Sequence, residues 1–153
     1  MTTPPPLLEV ENLRVVFDGV LGSVTAVNDV SLSVDRGQTI AVVGESGSGK
    51  SVTARTIMGL STPPGRIAEG SIRLAGRELV GLTDRQWRGV RGSQIAMVFQ
   101  DPMRSLNPTM KVGTQIDEAI RLHTDLSKKQ ARARAIELLD AVRIAAPRRR
   151  VDE

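Results

Sequence analysis

The sequence predicts an α/β fold, because three kinds of segment follow one another in the order that such folds require. Residues 39–43 form a short apolar run rich in β-branched side chains, and a glycine-rich turn follows it. A helical stretch begins after Gly49; strand-like segments precede it, and helical patterns fill the end of the chain. A buried strand that enters a helix through such a turn is typical of folds in which helices cover a mostly parallel sheet.

The segments before the helix carry strand and turn signals. Residues 8–17 and 26–34 alternate apolar with polar side chains, which predicts two strands. The segment 18–23 contains two glycines and predicts the turn between them, and residues 35–37 predict a second turn. Residues 39–43 are then expected to form a buried strand of the parallel sheet.

The helix after Gly49 is expected to end near Met58, where Gly59 provides a common helix stop. Residues 61–70 contain prolines and glycines and predict a loop. Residues 71–74 predict a further strand, and residues 95–99 predict a second buried strand.

Two helix starts are indicated by the spacing of a capping box. Thr83 with Gln86 forms the first box, and Ser127 with Gln130 forms the second. Behind the second box, one helical face carries four apolar residues, namely Ala135, Leu138, Leu139 and Val142.

Composition limits both the core and the kinds of site. Hydrophobic residues make up 40% of the 153 residues, but the only aromatic residues are Phe17, Trp87 and Phe99, so the core must be aliphatic. The absence of cysteine excludes disulfides and thiolate metal sites. No apolar run approaches the ~18 residues of a membrane-spanning helix, and the N-terminus lacks the features of a signal peptide.

The net charge of +4 is concentrated near the C-terminus, where residues 128–150 are strongly basic. Nucleic-acid modules usually interleave aromatic side chains with the basic ones, and this stretch has no aromatic residue. We therefore expect a solvated helix face and a charged loop, and no nucleic-acid partner.

Residues 44–51, Gly-Glu-Ser-Gly-Ser-Gly-Lys-Ser, fit the phosphate-binding pattern G-x-x-x-x-G-K-[ST] at every required position. Glycines allow a tight loop whose N–H groups point inward at an anion, and the following helix adds the positive end of its dipole. Lys50 supplies a mobile positive charge for the β- and γ-phosphates, and the Ser51 hydroxyl suits Mg²⁺. The pattern predicts a nucleoside triphosphate site.

A second segment indicates the family. Residues 96–102, Ala-Met-Val-Phe-Gln-Asp-Pro, resemble the Q-loop of ABC-type ATPases. The continuation 103–108, Met-Arg-Ser-Leu-Asn-Pro, is similar to the subfamily that energises uptake of dipeptides, oligopeptides and nickel. The resemblance extends from about Leu8 to Val142.

The resemblance implies ATP and Mg²⁺ as ligands. It makes residues 44–51 the Walker A loop and gives Lys50 and Gln100 catalytic roles, with Ser51 and Gln100 near the metal. An amide suits Gln100 because it donates and accepts hydrogen bonds without titrating. Phe17 is the candidate for stacking on adenine, with a core position as the equal alternative. The implied nucleotide-binding residues are Gly44, Glu45, Ser46, Gly47, Ser48, Gly49, Lys50, Ser51, Val52 and Phe17.

The same resemblance implies a P-loop NTPase core with an antiparallel β subdomain at the N-terminus. We expect residues 1–6 to be a disordered lead-in, residues 7–110 to form the β-rich core and residues 111–153 to begin a helical subdomain. The signature, the Walker B strand and the switch histidine of the family are missing from this sequence, and His123 is expected at the surface. The segment is therefore expected to be truncated, poorly stable and inactive alone, while the full-length protein is an ATPase.

The implied partners are transmembrane permease subunits and a second ATPase domain, at the cytoplasmic face of the plasma membrane. Two alternatives remain open. A P-loop kinase or GTPase would share the phosphate-binding loop, which alone does not select a reaction. A non-catalytic interaction module would use the basic residues 148–150 to bind acidic partners or anionic lipid, although a solvated loop is the simpler interpretation.

Overall fold

The computed structural model describes residues 5–99 and 106–153. The chain divides into two compact units, Met1–Ala96 and Met97–Glu153. The first unit contains a sheet and two helices, and the second is helical.

An antiparallel sheet of four strands dominates the first unit. Strand β1 is Leu8–Gly19, β2 is Gly22–Val34, β3 is Gly65–Leu74 and β4 is Arg77–Glu78, and their spatial order is β2-β1-β3-β4. Strands β1 and β2 form a hairpin that turns between Gly19 and Gly22. Both predicted strands are present, but they extend beyond residues 8–17 and 26–34, so the turn is shorter than the predicted segment 18–23.

Strand β3 begins earlier than the sequence indicates. Residues 61–70 were expected to form a loop, but the strand already starts at Gly65 and pairs along β1, with Val15 opposite Ile67. The loop prediction is wrong for residues 65–70, because hydrogen bonding to the neighbouring strand outweighs the weak strand propensity of the glycines, the alanine and the glutamate there.

The core of this unit lies on one face of the sheet. Its buried members come from β1, β2, β3 and the segment that follows β4, and they are Val10, Leu13, Val15, Val27, Ile72, Leu74, Leu79, Trp87 and Val90. Apart from Trp87 the cluster is aliphatic, as the composition predicts.

Helices α1 (Lys50–Ile57) and α2 (Asp84–Arg88) belong to the same unit. At the N-terminus of α2, the Thr83 side chain accepts from the Gln86 amide and the Gln86 side chain accepts in return, so the predicted capping box is present. Helix α1 ends at the predicted stop, because Gly59 has a φ of +63°.

The two predicted buried strands are absent. Residues 39–43 have no regular secondary structure, and Val42 and Val43 are 56% and 87% exposed. Residues 96–99 are likewise irregular, and only Ile95 forms an isolated bridge, to Arg91. A buried parallel strand needs a hydrogen-bonded neighbour on each side, and the described residues supply none. Both strand predictions are therefore wrong for this chain.

The second unit contains helices α3 (Val112–His123), α4 (Lys128–Ala141) and α5 (Pro147–Arg150). The predicted capping box at Ser127 is present, since its side chain accepts from the Gln130 amide. The predicted apolar face of α4 is only partly correct: Ala135 is buried, together with Ala131, whereas Leu138 and Val142 are exposed. The small alanines allow close approach of the neighbouring elements, and Leu139 is half-buried.

The C-terminal residues lie against the start of α3. The Val112 amide donates to the Glu153 carbonyl at 2.8 Å, and the Gly113 amide donates to the Val151 carbonyl at 2.9 Å. Arg132 of α4 forms ion pairs with Asp117 and Asp152. His123, the last residue of α3, is exposed as expected.

Two expectations about organisation stay predictions. Residues 1–4 of the expected lead-in lie outside the described residues. Residues 100–105, which precede the expected subdomain boundary after residue 110, lie outside them as well. Among residues 5–99 and 106–153, no helix combines the length and the apolar character that crossing a bilayer requires.

Candidate functional site

The glycine-rich loop, residues 44–51, leads directly into helix α1. Gly49 is the N-cap and has a φ of +89°, a conformation that residues with a Cβ rarely adopt. A Cβ at this position would lie 2.5 Å from the carbonyl oxygen of Ala26 on β2. Both the backbone conformation and the close approach to β2 therefore require glycine here.

Lys50 is the first residue of α1, and its side chain folds back over the loop. The ammonium nitrogen donates to the carbonyl oxygens of Gly44 at 2.8 Å and Glu45 at 2.6 Å, and it lies 3.1 Å from the Ser48 hydroxyl oxygen. An ammonium group has three donors, and three oxygens surround it. These acceptors are neutral, so the charged oxygens of a phosphate would bind the same ammonium more strongly.

A shallow cavity of about 150 Å³ opens at the start of α1. It is lined by the last part of the loop, the first turn of the helix and one residue of β2, namely Gly47, Ser48, Gly49, Lys50, Ser51, Val52 and Ala26. The N–H groups of a first helical turn have no partner within the helix, and the dipole places positive charge at this end. The cavity therefore favours an anion.

The three residues after Lys50 differ in burial and in the contacts that they make. Ser51 is exposed in the first turn, whereas Val52 is half-buried and packs against the core of the sheet. Thr53 stabilises the turn, since its amide and its hydroxyl both donate to the Gly49 carbonyl, at 2.8 and 3.0 Å. The Ser51 hydroxyl thus remains accessible for a ligand beside the Lys50 ammonium.

Phe17 lies on β1 opposite Gly65 of β3 and Val24 of β2. Its ring covers Gly65, where a Cβ would lie 2.8 Å from the ring edge, and the side chain is half-buried against the core. Phe17 is not among the residues that line the cavity at α1. Its stacking on adenine stays a prediction, and so does the role of Gln100, which lies outside the described residues.

An ion pair lies beside Phe17, at the turn end of the β1–β2 hairpin. The Arg66 guanidinium donates to the Asp18 carboxylate at 2.7 Å, and the Ser23 hydroxyl donates to the same carboxylate at 2.5 Å. The hydrogen bond from Arg66, followed by that from Ser23, lowers the pKa of Asp18 below its ordinary value. The pair links β1 to β3, close to the strand position of Phe17.

Three residues near α1 belong to no sequence motif, so their positions beside the site were not predicted. Ala26 lines the cavity, while Trp87 and Arg91 contact the opposite end of α1. Trp87 is the only tryptophan in the chain and follows the Thr83 capping box, so its burial could have been expected from its size. No sequence signal distinguishes Arg91 from the other arginines.

Comparisons with known proteins identify the family of the chain. Residues 27–153 match the protein family described as ABC transporter. The chain is 49% identical over 148 residues to an oligopeptide transport ATP-binding protein of Bacillus subtilis, and 48% identical over 139 residues to a dipeptide transport ATP-binding protein of Lactococcus lactis. These alignments cover 96% and 90% of this chain, but it spans only 41% and 40% of the two relatives.

The fold also matches solved structures. A dimeric bacterial ABC transporter cassette, MJ0796, superposes with a TM-score of 0.80 at 22% identity, over 95% of this chain and 60% of that one. A post-hydrolysis state of the same cassette, bound to ADP and phosphate, gives a TM-score of 0.78 at 22% identity over 91% of this chain and 58% of that one. The resemblance in sequence and the P-loop NTPase fold are both confirmed. The chain belongs to the ABC transporter family.

Proposed function

We propose that this chain is the ATP-binding part of an ABC transporter ATPase that energises uptake of peptides or similar small solutes. The observation that carries the proposal is the position of Lys50, whose ammonium group lies over the glycine-rich loop at the N-terminus of α1. The relatives that cover most of this chain are named oligopeptide and dipeptide transport ATP-binding proteins, which supports the class of solute.

In the proposed binding step, the triphosphate takes the place that the loop oxygens now occupy around Lys50. The ammonium group exchanges the Gly44 and Glu45 carbonyls for charged phosphate oxygens, which are stronger acceptors. The loop amides and the first turn of α1 donate to the remaining oxygens. The glycine at position 49 lets the loop lie close to β2, because a Cβ there would lie 2.5 Å from the Ala26 carbonyl oxygen.

The residues at the start of α1 also fit Mg²⁺. The exposed Ser51 hydroxyl is an oxygen ligand next to the phosphate-binding lysine, and Mg²⁺ is usually held by one or two protein oxygens together with phosphate oxygens. No cluster of three or more histidine, cysteine or acidic residues suited to a metal occurs in the described part of the chain. When bound, the ion neutralises charge that develops on the transferred phosphate.

Hydrolysis needs groups beyond these. We propose that Gln100 senses the γ-phosphate and the attacking water, and that Phe17 contacts adenine. A carboxylate base, the signature segment and a second ATPase domain would complete the site, because phosphoryl transfer depends on positioning and on charge stabilisation around the γ-phosphate. The proposed partners are therefore a second ATPase domain and permease subunits, with the protein at the cytoplasmic face of the membrane.

The alternative of a basic interaction module has less support. Arg149 and Arg150 both pair with Glu153, at 3.3 and 2.5 Å, so part of the positive charge of residues 148–150 is already neutralised. A kinase or GTPase of another class is disfavoured because the chain belongs to the ABC transporter family.

The experiment is a titration of the full-length protein with a fluorescent ATP analogue in the presence of Mg²⁺. We expect Lys50→Ala to weaken binding by about tenfold or more, because a charge-assisted contact to phosphate is lost. Lys128→Ala is the matched control, since Lys128 is also the first residue of a helix but follows no glycine-rich loop. Equal affinity of the Lys50 variant and the control would contradict the proposal.

A further inference from the structure

The ring of Phe17, on β1, packs closely against the backbone of β3. Phe17 lies opposite Gly65, and a Cβ on that glycine would lie 2.8, 3.1 and 3.2 Å from the ring carbons Cε1, Cζ and Cδ1. The φ of Gly65 is not positive, so the backbone conformation there would accept alanine. The approach of the ring is therefore what leaves no room for a side chain at this position.

Asp18, the residue that follows Phe17, is bonded to both neighbours of Gly65. The Asp18 amide donates to the Pro64 carbonyl at 3.0 Å, and the Arg66 Nε donates to the Asp18 carboxylate at 2.7 Å. The two hydrogen bonds thus lie on either side of the residue against which the ring packs. They fix the end of β1 to β3 at the position of the ring.

A third hydrogen bond ties the same carboxylate to β2. The Ser23 hydroxyl donates to the other carboxylate oxygen of Asp18 at 2.5 Å, and the two residues are strand partners. We call Asp18, Ser23 and Arg66 the carboxylate link. The side chains of Arg66 and Asp18 are 58% and 46% exposed, and an ion pair with this exposure contributes little to the free energy of unfolding. Its loss should therefore alter the position of the strand end without unfolding the chain.

The same strands bring Phe17 near the phosphate cavity at the start of α1. Val24, the strand partner of Phe17, precedes Ala26 by two residues, and Ala26 lines the cavity. Two residues of a strand span about 7 Å. The phosphates and the base are opposite ends of a nucleotide, so a half-buried ring at this separation from the cavity is suitably placed for the base.

We propose that the carboxylate link positions the Phe17 ring for the adenine base, so that Arg66 sets the preference of the site for a nucleotide over a bare phosphate chain. This inference rests on the proposed function, including the contact proposed there between Phe17 and adenine. It assigns Arg66 no contact with the nucleotide: Arg66 acts through Asp18, and Asp18 acts through the strand that carries the ring.

The proposal predicts that the two ends of the nucleotide respond differently. The phosphate end depends on other residues, since Gly49 lies close to Ala26 and the Lys50 ammonium lies over the loop. Loss of the carboxylate link leaves those contacts in place, so the affinity for phosphate survives. Only the part of the affinity that comes from stacking of the base is lost, because stacking depends on the position of the ring.

The test measures the Kd of ATP and the Kd of tripolyphosphate, which has the phosphate chain but no base, in the full-length protein with Mg²⁺. The ratio of the two constants is the preference for ATP. We expect Phe17→Ala to lower this preference by about fivefold or more, since the stacking of a base on an aromatic ring is lost. Arg66→Gln and Asp18→Asn should each lower it by about threefold or more, while the Kd of tripolyphosphate changes by less than about twofold. Arg66→Lys should restore part of the preference, because a lysine can still pair with the carboxylate.

Arg14→Gln is the matched control for the ion pair. Arg14 pairs with Glu69 at 3.0 Å, which is also an ion pair between β1 and β3, but these residues do not flank Gly65. Its loss should leave the preference for ATP unchanged.

Gly65→Ala tests the contact with the ring while the ion pair stays intact. The added Cβ displaces the ring, so the preference for ATP should fall as it does in Phe17→Ala. Gly89→Ala is the matched control, since a Cβ at Gly89 would lie 3.6 Å from its nearest neighbour, and the φ of Gly89 is not positive either.

Three results would overturn the proposal. The first is a preference for ATP within threefold of the wild type in Arg66→Gln or Phe17→Ala. The second is an equal loss of preference in Arg14→Gln, since any break between β1 and β3 would then suffice. The third is an unchanged or tighter binding of ATP in Asp18→Asn, because Arg66 would then act on the nucleotide directly.

Lys50→Ala separates this failure from failure of the proposed function. This variant should weaken the binding of both ATP and tripolyphosphate, and if it weakens neither, the proposed function fails. If it weakens both while Arg66→Gln keeps the preference for ATP, the phosphate site stands and only the positioning role of Arg66 fails.

Discussion

The antiparallel sheet and the segment 39–43 both have strand-like sequences, yet only the sheet forms. In β1 and its neighbours, Val15 is fully buried and Val27 is 4% exposed. In the segment 39–43, Val43 is 87% exposed and makes no regular structure. Similar β-branched side chains thus reach opposite environments in one chain.

The difference lies in where the partner strands come from. Strand β1 pairs with β2 across a short turn and with β3, which lies much further along the chain, and both partner strands are present in the same unit. A strand of a parallel sheet needs crossover connections and neighbours on both sides. The comparison shows that strand propensity alone does not make a strand when no neighbour is present.

The largest expected effect is a difference in stability when the same substitution, valine to alanine, is made in each of the two regions. In this 153-residue chain, Val15→Ala should lower the free energy of unfolding by about 2–3 kcal/mol, because it removes buried methyl groups and leaves a cavity. Val43→Ala should change it by less than about 0.5 kcal/mol, since the side chain is already exposed. Urea unfolding followed by circular dichroism measures both, and equal losses would contradict the contrast.

The next effect concerns two glycines that share a positive φ but differ in their surroundings. Gly49, at +89°, faces the Ala26 carbonyl, whereas Gly37, at +75°, has open space where a Cβ would go. Alanine should cost about 1–2 kcal/mol at either site from the left-handed conformation alone. Gly49→Ala should cost more and also weaken ATP binding, because β2 and the loop must separate. Thermal unfolding and nucleotide titration test the pair; equal behaviour would show that the close approach has no consequence.

The smallest effect is the loss of stability in acid that results from the Asp18–Arg66 ion pair at the turn end of the hairpin. Because Arg66 and Ser23 lower the pKa of Asp18 in the folded chain, the carboxylate contributes stability above the ordinary aspartate pKa, and this is lost as pH falls through the lowered value. Asp18→Asn should therefore flatten the acid side of the stability profile, and Arg66→Gln should flatten it similarly. Unfolding midpoints measured from neutral to acidic pH would show this, and an unchanged acid slope in both variants would refute it.

Much of the fold follows from local rules. The hairpin, the stop at Gly59 and the capping boxes at Thr83 and Ser127 depend on residues a few positions apart, and all are present. The errors concern long-range partners. Strand β3 extends because β1 supplies its hydrogen bonds, and the strand at residues 39–43 is missing because no described segment supplies them.

The candidate site also contains residues that the sequence predicts and residues that it does not. The loop, Lys50 and Ser51 are recognisable because phosphate binding requires fixed residue types at fixed spacing. Ala26 and Arg91 act through position, since one lies against Gly49 and the other binds the far end of α1. Such contacts depend on how distant segments pack, which spacing along the chain does not encode.

The most direct measurement of the central claim is the response of individual amides in the full-length protein to ATP with Mg²⁺. The loop amides from Gly44 to Ser51 should show saturable chemical-shift changes, and those of Gly47, Gly49 and Lys50 should exchange more slowly, while β1 amides stay unchanged. Shifts confined to other regions, with the loop unaffected at saturating ATP, would contradict the claim that this loop and Lys50 bind the triphosphate.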